Sequence, residues 1–272
     1  MHLLFCINTI HTTMKKIAFL IGIITLLSGF TEVDVDTSQT IPNNAYVEGE
    51  KLKYSMYYGW LDGGTASLSI SRTNIEGRNI LHAKAIAKTA GLADKIYNVN
   101  DIYESYIDEN TGKPVLAIRN IAEKKYRFYD EVTFLHSKNQ IKSKRKGVQS
   151  VPKDIFDFVS AFYYSRRTLF GNAHIGDTIR FNTYFDDKIY PIQVRYLGKE
   201  NIETKAGKFK ALKFRPIVEA GRIFDTPNDM TFWVSNDQNF VPLRIEFDLF
   251  VGSLKCDLIE YSGLKNQLAK IN

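Results

Sequence analysis

Apolar and polar residues alternate along most of this chain, the rhythm of a strand with one face buried. In "EKLKYSMYYGW" the alternation puts Leu52, Tyr54, Met56 and Tyr58 on one face. In "TASLSISRT" it groups Ala66, Leu68 and Ile70, and Asp62–Gly64 between them reads as a tight turn. Strand patterns follow in "ILHAKAIAKTA", in "ADKIYNVNDIYESYID", twice in "VLAIRNIAEKKYRFYDEVTFLH" and in "NQIKSKRKG", with turns at Glu76–Asn79 and Glu109–Pro114. Six more fill the second half, from "DTIRFNTYFDD" to "SLKCDLIEYSG", with turns at Asp186–Lys188, Ala206–Lys208 and Asn236–Asn239. No helices alternate with these strands, so the sheet is expected to be antiparallel.

One stretch breaks the rhythm. "VPKDIFDFVSAFYYSRRTLFGN" beats at the helical period, with Ile155, Phe158, Val159, Phe162 and Leu169 on one face and Phe156 and Tyr163 beside it. Pro152 suits a first turn, Asp154 and Asp157 suit the positive end of the helix dipole, and Arg166 and Arg167 the negative end, with Gly171 as the stop. The spacing predicts a helix over about 152–169. A long antiparallel sheet twists and curls, and an aromatic helix can cover its concave face. The expected fold is mainly β: a large curved antiparallel sheet or incomplete β-barrel with one central amphipathic helix packed on it. Two β domains joined by the helix are the alternative.

The 272 residues, 44% hydrophobic and 13% aromatic, suffice for a sizeable core. Met14-Lys15-Lys16, the apolar run Ile17–Leu27 and then Ser28 and Gly29 have the form of a signal peptide over 14–29. The apolar run is too short to span a bilayer comfortably, so no stable transmembrane span is expected after cleavage, and the product is periplasmic or otherwise exported. An uncut N-terminal anchor is the alternative. Residues 1–13 read as an over-extended start. Residues 30–45 read as a flexible linker, 46–264 as a single domain and 265–272 as a tail. Phe30 stands where a lipoprotein would need an acceptor cysteine. The net charge of +6, lowered by two if Lys15 and Lys16 leave with the leader, is too diffuse to argue for nucleic acid. Cys256 would then be the one cysteine left, so no internal disulfide can form; its alternating context suits a buried small residue.

Several stretches together are familiar: "YSMYYGWLDGGTASLSI", "VPKDIFDFVSAFYYSRR", "YFDDKIYPIQVRYLGKENIETKAGKFKALKFRPIV", "MTFWVSNDQNFVPLRIE" and "VGSLKCDLIEYSGL". Their order and character resemble the exported bacterial family known as domain of unknown function 3108, over roughly Val47 to Leu264. The helix stretch and Trp233, Val234, Ser235, Asp237, Pro242, Arg244 and Glu246 carry most of the resemblance. It implies an exported, strand-rich protein and supplies no catalytic residues. The design is similar to the lipoprotein-carrier type of open barrel, an analogy of fold.

Chemistry-bearing motifs are sparse. His82, His136 and His174 lie far apart with no paired spacing, and there is no phosphate loop or nucleophile elbow, so neither a metal nor another cofactor is expected. Asp186-Asp187 and Asp225/Asp229 are the best carboxylate pairs for a glycan hydrolase, although "FDDKIY" also reads as a plain hairpin. "DENTG" reads as a turn rather than a calcium loop. Lys142, Lys144, Arg145 and Lys146 either meet anionic lipid headgroups or an acidic glycan, or protect a strand edge. The aromatics offer a pocket for a lipid or glycan of the cell envelope, with Tyr58, Trp60, Phe158, Phe162, Tyr163 and Trp233 as its candidate lining. The expected function is a non-enzymatic carrier of an apolar or amphipathic ligand, held between sheet and helix. A structural or interaction protein of the envelope is the rival, favoured if the space beneath the helix is full.

Overall fold

The computed structural model describes residues 40–217, 230–249 and 252–271. The expected leader, and Asp225 and Asp229, lie outside the described residues. The alternating stretches form β1 (Lys51–Tyr58), β2 (Leu61–Ile75) and β3 (Arg78–Thr89), then a short helix α1 (Gly91–Ile96). β4 (Asn100–Asp108), β5 (Pro114–Glu123), β6 (Tyr126–Leu135), β7 (Gln140–Ser143), β8 (Gly147–Ser150) and the two-residue β9 (Ile155–Phe156) lead to helix α2 (Phe158–Thr168). The rest is β10 (Thr178–Phe185), β11 (Lys188–Thr204), β12 (Gly207–Pro216), β13 (Met230–Ser235), β14 (Pro242–Asp248), β15 (Ser253–Ser262) and β16 (Lys270–Ile271).

All 16 strands share one sheet, ordered from β8 back to β1, then β15 back to β9, with β16 on β12. The two meanders meet where β1 pairs with β15, Lys51 opposite Ser262, so there are not two separate β domains. The edge strands β8 and β9 are neighbours in the chain, separated only by residues 151–154. The sheet therefore curls until its edges face each other, and side chains close the seam. Gln149 Nε2 donates to the Tyr184 hydroxyl at 3.0 Å, and Arg119 pairs with Asp186 at 3.1 Å. Beneath them Phe134, Ile141, Val151, Ile155 and Tyr184 form one buried cluster. The result is an incomplete barrel with α2 inside, packed on β3, β4 and β10.

The structure moves some expected boundaries. α2 begins at Phe158, not near Pro152, because Ile155 and Phe156 are taken by parallel pairing with Asn182 and Thr183 of β10, and Asp154 has φ 58°. Asp157 is the cap: its carboxylate accepts from the Val159 and Ser160 amides, and the Ser160 hydroxyl accepts from the Asp157 amide. The first hairpin turns at Gly59-Trp60, not at Asp62–Gly64, which lie inside β2. Gly64 serves close strand approach instead, since a Cβ there would come within 2.2 Å of the Lys88 carbonyl. Of the expected linker, Ala45 is already buried; of the expected tail, Leu268 enters the core and Lys270–Ile271 pairs with β12. Both gain burial and hydrogen bonds that the polar composition of these ends does not announce.

Candidate functional site

The space between α2 and the sheet is where a ligand was expected, and it is almost full. Tyr163 is fully buried with its ring edge-on to Tyr46, and it packs with Ile70, Leu81, Ala83 and Ile107. Phe162 bridges this cluster to a second one built from Phe170, Tyr196, Phe214 and Val234. A cavity of about 50 Å³ remains at the N-terminal end of α2, walled by Phe158, Val159, Tyr103, Phe128, Phe185 and Arg119 among others. That is room for one or two waters, far below the several hundred Å³ of a typical ligand pocket.

Arg166 fixes the helix. Its guanidinium is fully buried and bidentate on Glu50, at 2.6 and 2.8 Å, while its Nε donates to the Asn239 carbonyl at 2.8 Å. Burial alone would lower its pKa, but the Glu50 carboxylate more than reverses that and keeps the group charged. One side chain of α2 thus ties the approach to β1 to the loop between β13 and β14. Sequence reasoning assigned Arg166 only to the helix dipole. Its partner lies 116 residues away in the chain, and no local signal marks the pair.

A second polar group lies at one end of the barrel. Asp101 on β4 and Glu123 on β5 are both buried, and the Tyr97 hydroxyl donates to Glu123 at 2.9 Å. Burial, together with the nearby Glu123 carboxylate, pushes Asp101 up to about 7, although the Ala122 amide donates to it. Buried paired carboxylates of this kind suit acid–base chemistry only with a cleft to admit substrate; here Tyr97, itself buried, covers Glu123.

The six expected lining residues do not come together. Phe158 borders the small cavity, and Phe162 and Tyr163 fill the core beside it. Trp233 is buried on β13 with its indole N–H donated to Glu200 and Lys213 over its ring. Tyr58 ends β1 next to Gly252. Trp60 is 93% exposed at the tip of the first hairpin. Asp186 and Asp187 form the β10–β11 turn, with φ 48° and 63°; Asp186 pairs with Arg119 at the border of the small cavity, and Asp187 faces Arg145 and Lys146. The Asp108 carboxylate accepts from the amides of Asn110 and Thr111, the local turn that "DENTG" suggested. His82 pairs with Glu104, His136 bonds the Pro114 carbonyl and His174 is exposed; among the described residues no group of three metal-binding side chains forms. Cys256 packs against the core, and burial pushes its thiol up to about 12. An open polar depression of about 440 Å³ lies by Lys113, His136 and Asp154, but Lys113 and Asp154 neutralise each other at 2.7 Å.

The family model described as protein of unknown function DUF3108 matches residues 53–259. The chain belongs to this family. No curated protein matches it. Among solved structures, this DUF3108 protein is similar to a β-barrel-like protein of the DUF1849 family from Brucella abortus, with TM-score 0.56 and 8% identity, covering 82% of this chain and 99% of that one. That likeness agrees with the curled sheet. A protein from Bacteroides fragilis described as exported, of YmcC-like fold, matches with TM-score 0.36 and 12% identity over 82% of this chain and 99% of its own. A protein from Parabacteroides distasonis described as a lipoprotein matches with TM-score 0.36 and 11% identity over 83% of this chain and all of its own, 100%. No helix among the described residues is long and apolar enough to cross a membrane.

Proposed function

We propose that this DUF3108 protein is an exported, non-enzymatic protein of the cell envelope that acts through its outer surface, with α2 as a fixed filler of the barrel. The observation that carries this reading is the fully buried Arg166–Glu50 pair. A lid must leave its seat, and withdrawing α2 would strand Glu50 unpaired in the interior, at a cost of about 3–5 kcal/mol. Export is read from the leader at 14–29. The test is a titration of the mature chain with a fluorescent fatty acid such as cis-parinaric acid. No saturable rise in emission is expected; a saturable, stoichiometric rise would defeat the reading.

One observation favours a carrier as the second reading. Arg119 borders the small apolar cavity, and its Nε is buried without a hydrogen-bond partner. Parting the side-chain seam beside it would enlarge the cavity and offer that cation to an amphipathic anion. Saturable fatty-acid binding that is lost in Arg119→Gln would make this the better account.

A further inference from the structure

Three neighbouring structures at one end of the barrel present apolar and basic side chains together. The first is the Gly59-Trp60 tip, where Trp60 is 93% exposed. The second is α1, none of whose residues is buried: Leu92 is 60% exposed and Ile96 40%. These two stand one turn apart, so they share a face of the helix. The third is the Lys124-Lys125 turn between β5 and β6. The backbone joins all three, because the Ala90 amide donates to the Gly63 carbonyl and the Lys124 amide to the Asn98 carbonyl.

The exposed charge of this end is in basic excess. Lys95, Lys124 and Lys125 are exposed. The acids beside them offset this only in part: Asp94 keeps its charge but is half-buried and held by Thr89 and Asn98, Glu123 is buried under Tyr97, and Asp62 pairs with Lys205. A single exposed leucine would mean little, but Leu92, Ile96 and the Trp60 indole stand together at one end, and a grouped apolar patch marks an interaction surface. An interface between water and lipid accommodates all of these groups. Trp prefers the headgroup level, aliphatic side chains enter just below it, and lysines remain among the phosphates.

We propose that this end of the barrel docks on an anionic lipid bilayer, with Trp60, Leu92 and Ile96 inserted at the headgroup boundary and Lys95, Lys124 and Lys125 on the lipid phosphates. The proposal deepens the surface-acting reading above and rests on it. Trp60 supplies its own readout, because the chain has 2 tryptophans and Trp233 is only 7% exposed. The mature chain is mixed with vesicles of equal parts phosphatidylglycerol and phosphatidylcholine, and with phosphatidylcholine alone. With the anionic vesicles, co-sedimentation and a blue shift of Trp emission are expected, both weakened by salt. The Trp60→Ser, Leu92→Ser variant should lose most of the binding. Lys95→Glu, Lys125→Glu, which spares the Lys124 ammonium over the Tyr97 ring, should weaken it by roughly tenfold or more, since each basic group near such a surface strengthens binding about fivefold. These side chains are exposed, so thermal melts of the variants should match the parent.

Absence of binding to anionic vesicles overturns the proposal, as does binding that either folded variant retains in full. Concentration-dependent self-association that requires Trp60, without vesicle binding, overturns it in favour of a second copy of the chain. Each of these leaves the surface-acting reading standing; fatty-acid binding in the interior would remove that reading separately.

Discussion

Arg166 holds a charge where water cannot reach, and Glu50 makes that tolerable. Arg166→Met leaves a buried carboxylate unpaired and should lower stability by about 3–5 kcal/mol in urea melts. The double variant Glu50→Gln, Arg166→Met should recover most of the loss. Equal loss in the double variant would assign the effect to packing rather than charge. Asp101 behaves differently, because its folded pKa lies near 7, above the ordinary 3.8. The folded state then binds more protons than the unfolded one between those values, so this group's contribution to stability falls as pH rises from about 4 to about 7. Asp101→Asn can still accept from the Ala122 amide and can donate to Glu123. The variant should gain on the parent across that window and match it at the acid end. The comparison isolates Asp101, since Asp157, raised by burial, acts in the same direction and His136, lowered by burial, in the opposite one. Neither Arg166 nor Asp101 was legible as special in the sequence, because each is defined by a partner on another element.

α2 shows what can be read locally and what cannot. Its helical period is a local property, and the helix appears over Phe158–Thr168. The face it buries is not the expected one: Ala161, Tyr163, Tyr164 and Arg166 are buried, whereas Phe158, Val159, Phe162 and Leu169 are half-buried and Ile155 lies in β9. The first residue of α2 is not local: β10, more than 20 residues on, claims Ile155 and Phe156 and leaves Asp157 as the cap. Asp157→Ala should cost about 1–2 kcal/mol, and amide exchange at Val159 and Ser160 should quicken first. Unchanged protection there would show that the cap bonds do not hold this turn and that the Asp157 carboxylate matters through its bond from Ser105 instead. The strands were legible for the same reason as the helix. Alternation over eight or more residues has one period, and β1, β3 and β10 to β12 lie where it placed them. Trp60 was misplaced by one turn position: once Gly59, at φ 57°, and Trp60 make the tip, the indole must leave the sheet.

At the scale of the molecule, β1 and β15 join the two meanders by a continuous ladder, whereas the edges at β8 and β9 meet through side chains. Amide exchange should therefore be slowest along β15, β1 and β2 and fastest at β8 and β9, and Gln149→Ala should widen that contrast. A uniform profile would argue for a barrel closed by backbone pairing. The pairing of β1 with β15 was illegible because it joins residues about 200 apart, whereas each hairpin ladder is announced by a nearby turn. The account as a whole turns on whether the barrel's interior belongs to the protein alone. The most direct measurement is native mass spectrometry of the chain purified from the cells that make it, followed by organic extraction. A single mass equal to that of the polypeptide, with an empty extract, is the predicted result. A stoichiometric lipid or glycolipid released with the chain would contradict it and make α2 a seat for cargo.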